Sequence, residues 1–250
     1  MNQVKSENKN ECQKILEEEI NYGIDAPAVV VSLLVLGFLL ILLTYFLPKT
    51  LGMVSLILGN LLFLQGILML LYARFGKFRH RDRMLSMLNW SGGEKVLDVG
   101  TGRGLLLIGA AQRLKNGLAI GIDIWRGKDL SGNEMKNTQE NILLAQVSKT
   151  AKVESQDVQY LTFPDASFDY VLSNLVLHNI EEEQGQKMAC QQIYRVLVPG
   201  GVALISDMKN ISLYSSQFEK LGAKTQRFGP YFFTTFPPLA ILRVEKPKPS

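Results

Sequence analysis

The chain has 250 residues, with 47% apolar and 20% charged side chains and a formal charge of +4, enough for one sizeable domain plus an extra element. Its two cysteines, Cys12 and Cys190, lie far apart and without C-x-x-C spacing, which excludes a disulfide framework or a cysteine-rich metal cluster. The apolar excess is concentrated near the start, so the distribution of residues says more than their totals.

Residues 1–26 form a polar leader in which Lys5, Lys9 and Lys14 face Glu7, Glu11, Glu17, Glu18, Glu19 and Asp25; it reads as a frayed tail or a short surface helix. Pro27–Leu47 then runs for 21 residues without a charge, and Leu51–Tyr72 for another 22. As helices each is about 30 Å long, enough to cross a hydrocarbon core. A secretory signal fits poorly, because the leader is acidic and the first run exceeds the usual apolar stretch of about 7–15 residues. Residues 27–72 are therefore expected to form a transmembrane hairpin turning at Pro48-Lys49-Thr50.

Gly52, Gly59 and Gly66 recur every seven residues and predict a smooth stripe against the first helix. Asn60 and Gln65 are polar within the second helix and either bond across the hairpin or line a site for a polar headgroup. The segment 73–83 carries Arg74, Lys77, Arg79, His80, Arg81 and Arg83 against Asp82 alone. Beside a membrane helix such a cluster marks the cytoplasmic side and attracts anionic headgroups, which places both termini and the following domain in the cytoplasm and leaves no case for nucleic acid.

From Met84 the texture becomes alternating strands and helices, beginning with a short helix over Arg83–Trp90. Val96–Val99 is a buried strand; Gly100-Thr101-Gly102-Arg103-Gly104 is a tight turn, and Leu105–Leu114 a helix. Glycines there permit positive φ and let a ligand press on bare backbone at a helix start, so a polar small molecule belongs at this turn. The dinucleotide fingerprint fails because its third glycine position is Leu105, and a P-loop fails because leucines follow Gly104.

Further strands are predicted at Leu118–Asp123, Ala151–Ser155, Tyr170–Ser173 and Val202–Ser206, with helices over Glu134–Val147, Glu181–Leu197 and Leu213–Leu221. Phe163–Asp169 reads as a loop, and Val198-Pro199-Gly200-Gly201 as a helix stop. Strands near Lys224–Gly229 and Leu239–Glu245 close the sheet as an antiparallel hairpin. The pattern is α/β, a mainly parallel Rossmann-like sheet of seven strands with helices on both faces and ligands over its strand ends. Asp123, 23 residues beyond Gly100, is placed either to accept from ribose hydroxyls or to cap a helix.

Over residues 84–246 the sequence resembles the class I S-adenosylmethionine (SAM) methyltransferases, most nearly the ubiquinone and menaquinone biosynthesis branch. The resemblance is carried by Asp98–Gly104, Gly121-Ile122-Asp123, Asp157, Phe163–Asp169, Leu177-His178-Asn179-Ile180 and Leu197-Val198-Pro199-Gly200-Gly201. It implies SAM as methyl donor, with Gly100, Thr101, Gly102 and Gly104 along the methionine portion and Asp98 orienting its amino group. It further implies Asp123 at the ribose, Asp157 and Val158 at the adenine and Asn174 at the methionine end, with Ile124 also counted among the cofactor-binding residues. The segment 124–133 is longer and more basic than in the family, and its Trp125 lies either on the adenine or in the core. Asn179 stands where the family often has a second histidine, so a role for His178 is not carried over and the catalytic residue stays unassigned.

No metal is implied, and arsenic methylation is disfavoured for want of cysteines. An anchored domain meets lipid-dissolved acceptors directly, so the expected acceptor is quinone-like, isoprenoid or another lipid. The alternatives are a methyltransferase of soluble small molecules or proteins held at the membrane, and a SAM-binding membrane protein without transferase activity. The aromatic stretch 228–238 packs in the core, dips into the interface or roofs the acceptor.

Overall fold

Two apolar helices and an α/β domain built on a seven-stranded sheet make up residues 20–248, the part of the chain that the computed structural model describes. The leader as far as residue 19, with Cys12, and the last two residues lie outside the described residues.

Helix α1 (Pro27–Leu43) continues as a 3-10 turn to Phe46, and α2 (Lys49–Leu71) returns beside it. The glycine stripe faces α1 as its spacing predicts. A Cβ on Gly59 would come 2.8 Å from the Gly37 carbonyl oxygen and 2.9 Å from the Ile41 nitrogen, and one on Gly66 would strike Leu34 at 2.7 Å. Among the described residues neither Asn60 nor Gln65 bonds across the hairpin. The Asn60 amide donates to Leu56 O in its own helix (2.8 Å) and Gln65 is exposed, whereas Ser55 Oγ spans the hairpin to Leu40 O at 2.7 Å.

The second helix does not stop at the basic cluster. Through a π turn (Tyr72–Gly76) it runs into α3 (Lys77–Ser86), so one continuous helix covers Lys49–Ser86 and the expected helix over Arg83–Trp90 ends instead at Ser86. Its charges give way to Met84 and Leu85, which are fully buried under the sheet.

The sheet comprises β1 (Lys95–Val99), β2 (Leu118–Asp123), β3 (Ala151–Ser155), β4 (Phe168–Asn174), β5 (Leu197–Asp207), β6 (Lys224–Phe228) and β7 (Ala240–Glu245). Their order is β3-β2-β1-β4-β5-β7-β6, with β7 running against its neighbours. Between them lie α4 (Leu105–Ala111), α5 (Met135–Leu144), α6 (Glu183–Val196) and α7 (Ile211–Lys220). Alternation along the strands fills both faces: Leu97, Val99, Ala203 and Ile205 pack with Ile193 of α6 and Phe218 of α7. Val96 and Leu204 pack with Met84, Leu107 of α4 and Ile142 of α5.

Strands β4 and β5 start earlier than the sequence reading puts them. Phe168 and Asp169 belong to β4, and the Pro-Gly-Gly segment belongs to β5, because Leu197 pairs with Phe168 across an irregularity and Gly200 N donates to Lys246 O (2.7 Å). Chain order reverses between β1 and β4, which opens a crevice over their carboxyl ends.

Candidate functional site

The turn after β1 is pinned to β2: the N–H groups of Gly100 and Thr101 both donate to Ile122 O, at 2.8 and 2.9 Å. Gly100, Gly102 and Gly104 all take positive φ, at 67°, 53° and 87°. A Cβ on Gly100 would stand 2.2 Å from Val176 Cγ2, so that position admits backbone alone. Beneath the turn, Asp98 Oδ2 accepts from Thr101 Oγ1 (2.8 Å) and from the Leu107 N–H in α4 (3.0 Å). Burial raises its carboxyl from 3.8 to about 7, and the charge of Asp123 adds to the rise.

Asp123 ends β2 with both oxygens engaged: Oδ2 accepts from Gly102 N (2.8 Å), and Oδ1 from Trp125 N (2.7 Å) and the Asn133 amide (3.4 Å). No helix starts there, since α5 begins at Met135, so Asp123 is not a helix cap. Thr138 Oγ1 donates to Gly102 O (2.6 Å), which ties the turn to α5 as well. After β3, Asp157 takes the Gln159 N–H at 2.9 Å and holds a short 3-10 turn with Val158 buried at its start.

These strand ends surround a cleft of about 330 Å³, a size suited to a small ligand. Of the residues expected at the ligand, Gly100, Gly102, Asp123, Ile124, Asp157, Val158 and Asn174 line it. Asp25, Asp129, Glu181 and Glu182 add carboxylates, against Arg126 as the cationic side chain on the wall, so the cleft favours a cationic, hydroxyl-bearing ligand. Trp125 is neither on the cleft wall nor in the core: it takes a left-handed conformation and donates through Nε1 to Ser155 Oγ at 2.7 Å. Gly104 packs instead of lining, since a Cβ there would meet Ile108 and Thr138 at 3.2 and 3.3 Å.

Asp98 and Thr101 face a second, smaller cavity of about 70 Å³ that shares Asp25, Gly100, Gly102, Leu130 and Asn174 with the cleft. Its remaining walls include Tyr22, Tyr72, Lys77 and Arg103. Sequence reasoning missed Asp25, Tyr72 and Lys77, because each lies at the edge of an apolar run and reads as part of a tail or a boundary. Burial raises the Asp25 carboxyl above the usual range, with Lys77 opposing, and burial lowers the Lys77 ammonium. On the far side, His178 Nδ1 lies 2.6 Å from Asp207 Oδ1 at the end of β5, and the His178 N–H donates to Oδ2 at 3.2 Å.

Residues 97–205 match the family model described as "Methyltransferase domain". The chain is 26% identical over 164 residues to the ubiquinone/menaquinone biosynthesis C-methyltransferase of Geobacter sulfurreducens, covering 61% of this chain and 60% of that protein. It is 30% identical over 129 residues to the 27-O-demethylrifamycin SV methyltransferase of Amycolatopsis mediterranei, covering 52% and 44%. The chain spans about half the length of the curated relatives it matches. A SAM-dependent methyltransferase from Aquifex aeolicus shares the fold, with a TM-score of 0.53 over 66% of this chain and 88% of that one at 17% identity. The strand order, the glycine turn and these likenesses agree: residues 97–205 are a methyltransferase domain of the SAM-dependent kind, whose methyl donor is S-adenosylmethionine.

Proposed function

We propose that the chain is an integral membrane methyltransferase, anchored by residues 27–72 with its catalytic domain and both termini in the cytoplasm, that methylates a lipophilic acceptor of quinone-like, isoprenoid or lipid type. The observation that carries this reading is where the site stands: Asp25 and Tyr72, at the domain ends of α1 and α2, wall the same small cavity as Gly100 and Gly102. The reacting region is then at the bilayer surface. Only 11% and 17% of the most apolar windows of the two helices are buried, which favours lipid-facing helices over the core helices of a soluble fold. Phe232 and Phe233 support the same orientation. Both are exposed, and their loop sits at the root of the hairpin, where Thr234 Oγ1 accepts from Arg83 (3.1 Å) and Arg83 covers the Tyr231 ring at 4.0 Å. The five basic side chains from Arg74 to Arg83 favour the cytoplasmic side.

Within the cleft, Asp123 is the acceptor for ribose hydroxyls, Asp157 and Val158 bound the adenine, and the bare backbone of Gly100 and Gly102 lies along the methionine portion beside Asn174. When bound, the donor supplies an electrophilic methyl group on a sulfonium. The protein's part is to align it, to exclude water and to gather negative charge around a cation. The names of the relatives differ, one in ubiquinone and menaquinone biosynthesis and one for 27-O-demethylrifamycin SV, so it is the hairpin that favours a lipophilic acceptor. The test is to incubate the purified chain with methyl-labelled SAM and a membrane lipid extract. Label partitioning into the organic phase is the expected result. Label confined to water-soluble products rejects the lipophilic acceptor, and donor binding without any transfer rejects the enzyme.

A further inference from the structure

Resting on the reading of the cleft as a SAM site, we infer that Asp25 and Tyr72 form, with Asn174, the subsite for the amino-acid end of the donor. The hairpin then completes the donor site as well as tethering it. The nucleoside end has its partners in Asp123 and Asp157, on the side of β2 and β3. The other end of the donor is a zwitterion, an α-ammonium beside a carboxylate, and it needs an acceptor and donors of its own. The small cavity adjoins the cleft, with five wall residues in common, and offers both.

Among the described residues, the Tyr72 hydroxyl, on a residue only 5% exposed, has no hydrogen-bond partner, and neither has Asn174 Oδ1 or Arg103 Nε. Buried polar atoms without partners cost stability unless something fills the site. Asp25 makes no ion pair among the described residues, whereas the nearby Lys77 ammonium is spent on the carbonyls of Tyr22 (3.1 Å) and Gly23 (2.5 Å). The Asp25 carboxylate is thus free for an ammonium, and Tyr72, Asn174 and Arg103 carry the groups to complete a zwitterion's contacts.

The placement is built. Asp25 bridges Leu130 in antiparallel fashion, Ala26 N donates to Asp129 O (2.9 Å), and Ile24 and Ser131 exchange bonds at 2.8 and 3.0 Å. These bonds fasten the strap before α1 to the loop that also lines the nucleoside cleft. Tyr72 is seated by Gly76, where a Cβ would come 2.6 Å from its ring.

The experiment compares two ligands on the full chain in detergent by calorimetry: S-adenosylhomocysteine, which has the amino-acid end, and 5′-methylthioadenosine, which lacks it. Asp25→Asn is expected to weaken the first about tenfold or more and leave the second within about twofold, with Tyr72→Phe acting the same way by about threefold. Retained binding of the truncated ligand also shows that each variant is folded. Equal losses for the two ligands, or no loss for either, overturn the inference. A wild-type chain that binds neither ligand overturns the SAM reading of the cleft itself, and this assignment with it.

Discussion

The two ends of the proposed donor cleft, one assigned to the nucleoside and one to the amino-acid end, are assembled by different means. The nucleoside end comes from strand termini and the turns directly after them, so Gly102, Asp123 and Asp157 owe their places to local chain geometry and a parallel register. The hairpin end joins Asp25 and Tyr72, 47 positions apart and separated by two apolar helices, to the turn at Gly100. The first end is defined by hydrogen bonds within the sheet scaffold. The second holds together only if the hairpin packs and its strap stays fastened. A helical hairpin that supplies walls to a site makes ligand binding depend on helix packing some distance away, and that dependence can be measured.

The largest expected effect concerns Asp98, between the two ends. Its folded pKa, about 7, stands above the unfolded value of 3.8, so the folded state binds the proton more tightly. The stability it contributes is therefore full below pH 3.8 and is lost as pH rises to about 7, a change on the order of 4 kcal/mol. The Asp98→Asn substitution removes the titrating group and still leaves one oxygen for the Thr101 and Leu107 donors, which converge on Asp98 Oδ2. Chemical unfolding between about pH 4 and 8 is expected to show the slope in the wild type and its loss in Asp98→Asn. Parallel slopes would remove Asp98 as the buried titrating group.

Next comes Asp123→Ala. Without its carboxylate the N–H groups of Gly102 and Trp125 lose their acceptor and so does any ribose, and affinity for SAM is expected to fall about 100-fold by calorimetry. A loss below about threefold would mean the nucleoside end is held elsewhere. The hairpin itself is probed by Gly59→Leu, which forces backbone apart at 2.8–2.9 Å and is expected to cost about 2 kcal/mol, read as a lowered thermal midpoint in detergent. Gly127→Ala, where a Cβ meets nothing within 4 Å, is the control that should leave the midpoint unchanged. If the hairpin end depends on packing as described, Gly59→Leu also weakens S-adenosylhomocysteine more than 5′-methylthioadenosine.

Legibility in the sequence follows the same division. Leu118–Asp123 and Ala151–Ser155 stand where the sequence puts them, the first because a buried parallel strand writes its own apolar run, the second because Ala151 and Val153 alternate with Lys152 and Glu154 as an edge strand requires. The seven-residue glycine spacing likewise identified the face of α2 that meets α1. Pro199-Gly200-Gly201 misled, since a helix stop and an irregular strand start use the same residues and only the pairing with Phe168 and Lys246 decides between them. The basic run 73–83 hid its helix because its charges masked the buried Met84 and Leu85. Asp25 was invisible for a different reason: its partners at Leu130 and Gly100 lie far along the chain, beyond both apolar helices, and no local period encodes such contacts.

Trp125 marks the outer limit of the nucleoside end and gives the smallest effect. A ring beside an acid at a strand end invites stacking on adenine, but here the indole is directed to Ser155 and the wall position belongs to Ile124. Trp125→Phe keeps an aromatic ring and removes one exposed hydrogen bond, at a cost of about 1 kcal/mol or less to the loop. Affinity for SAM should then change less than about threefold, whereas Ile124→Asp, which adds a carboxylate to the cleft wall without touching Ser155, should perturb it more. If Trp125→Phe instead lost tenfold or more while its thermal midpoint held, the indole would have to turn inward on binding. The nucleoside end would then share with the hairpin end a wall that forms only around the ligand.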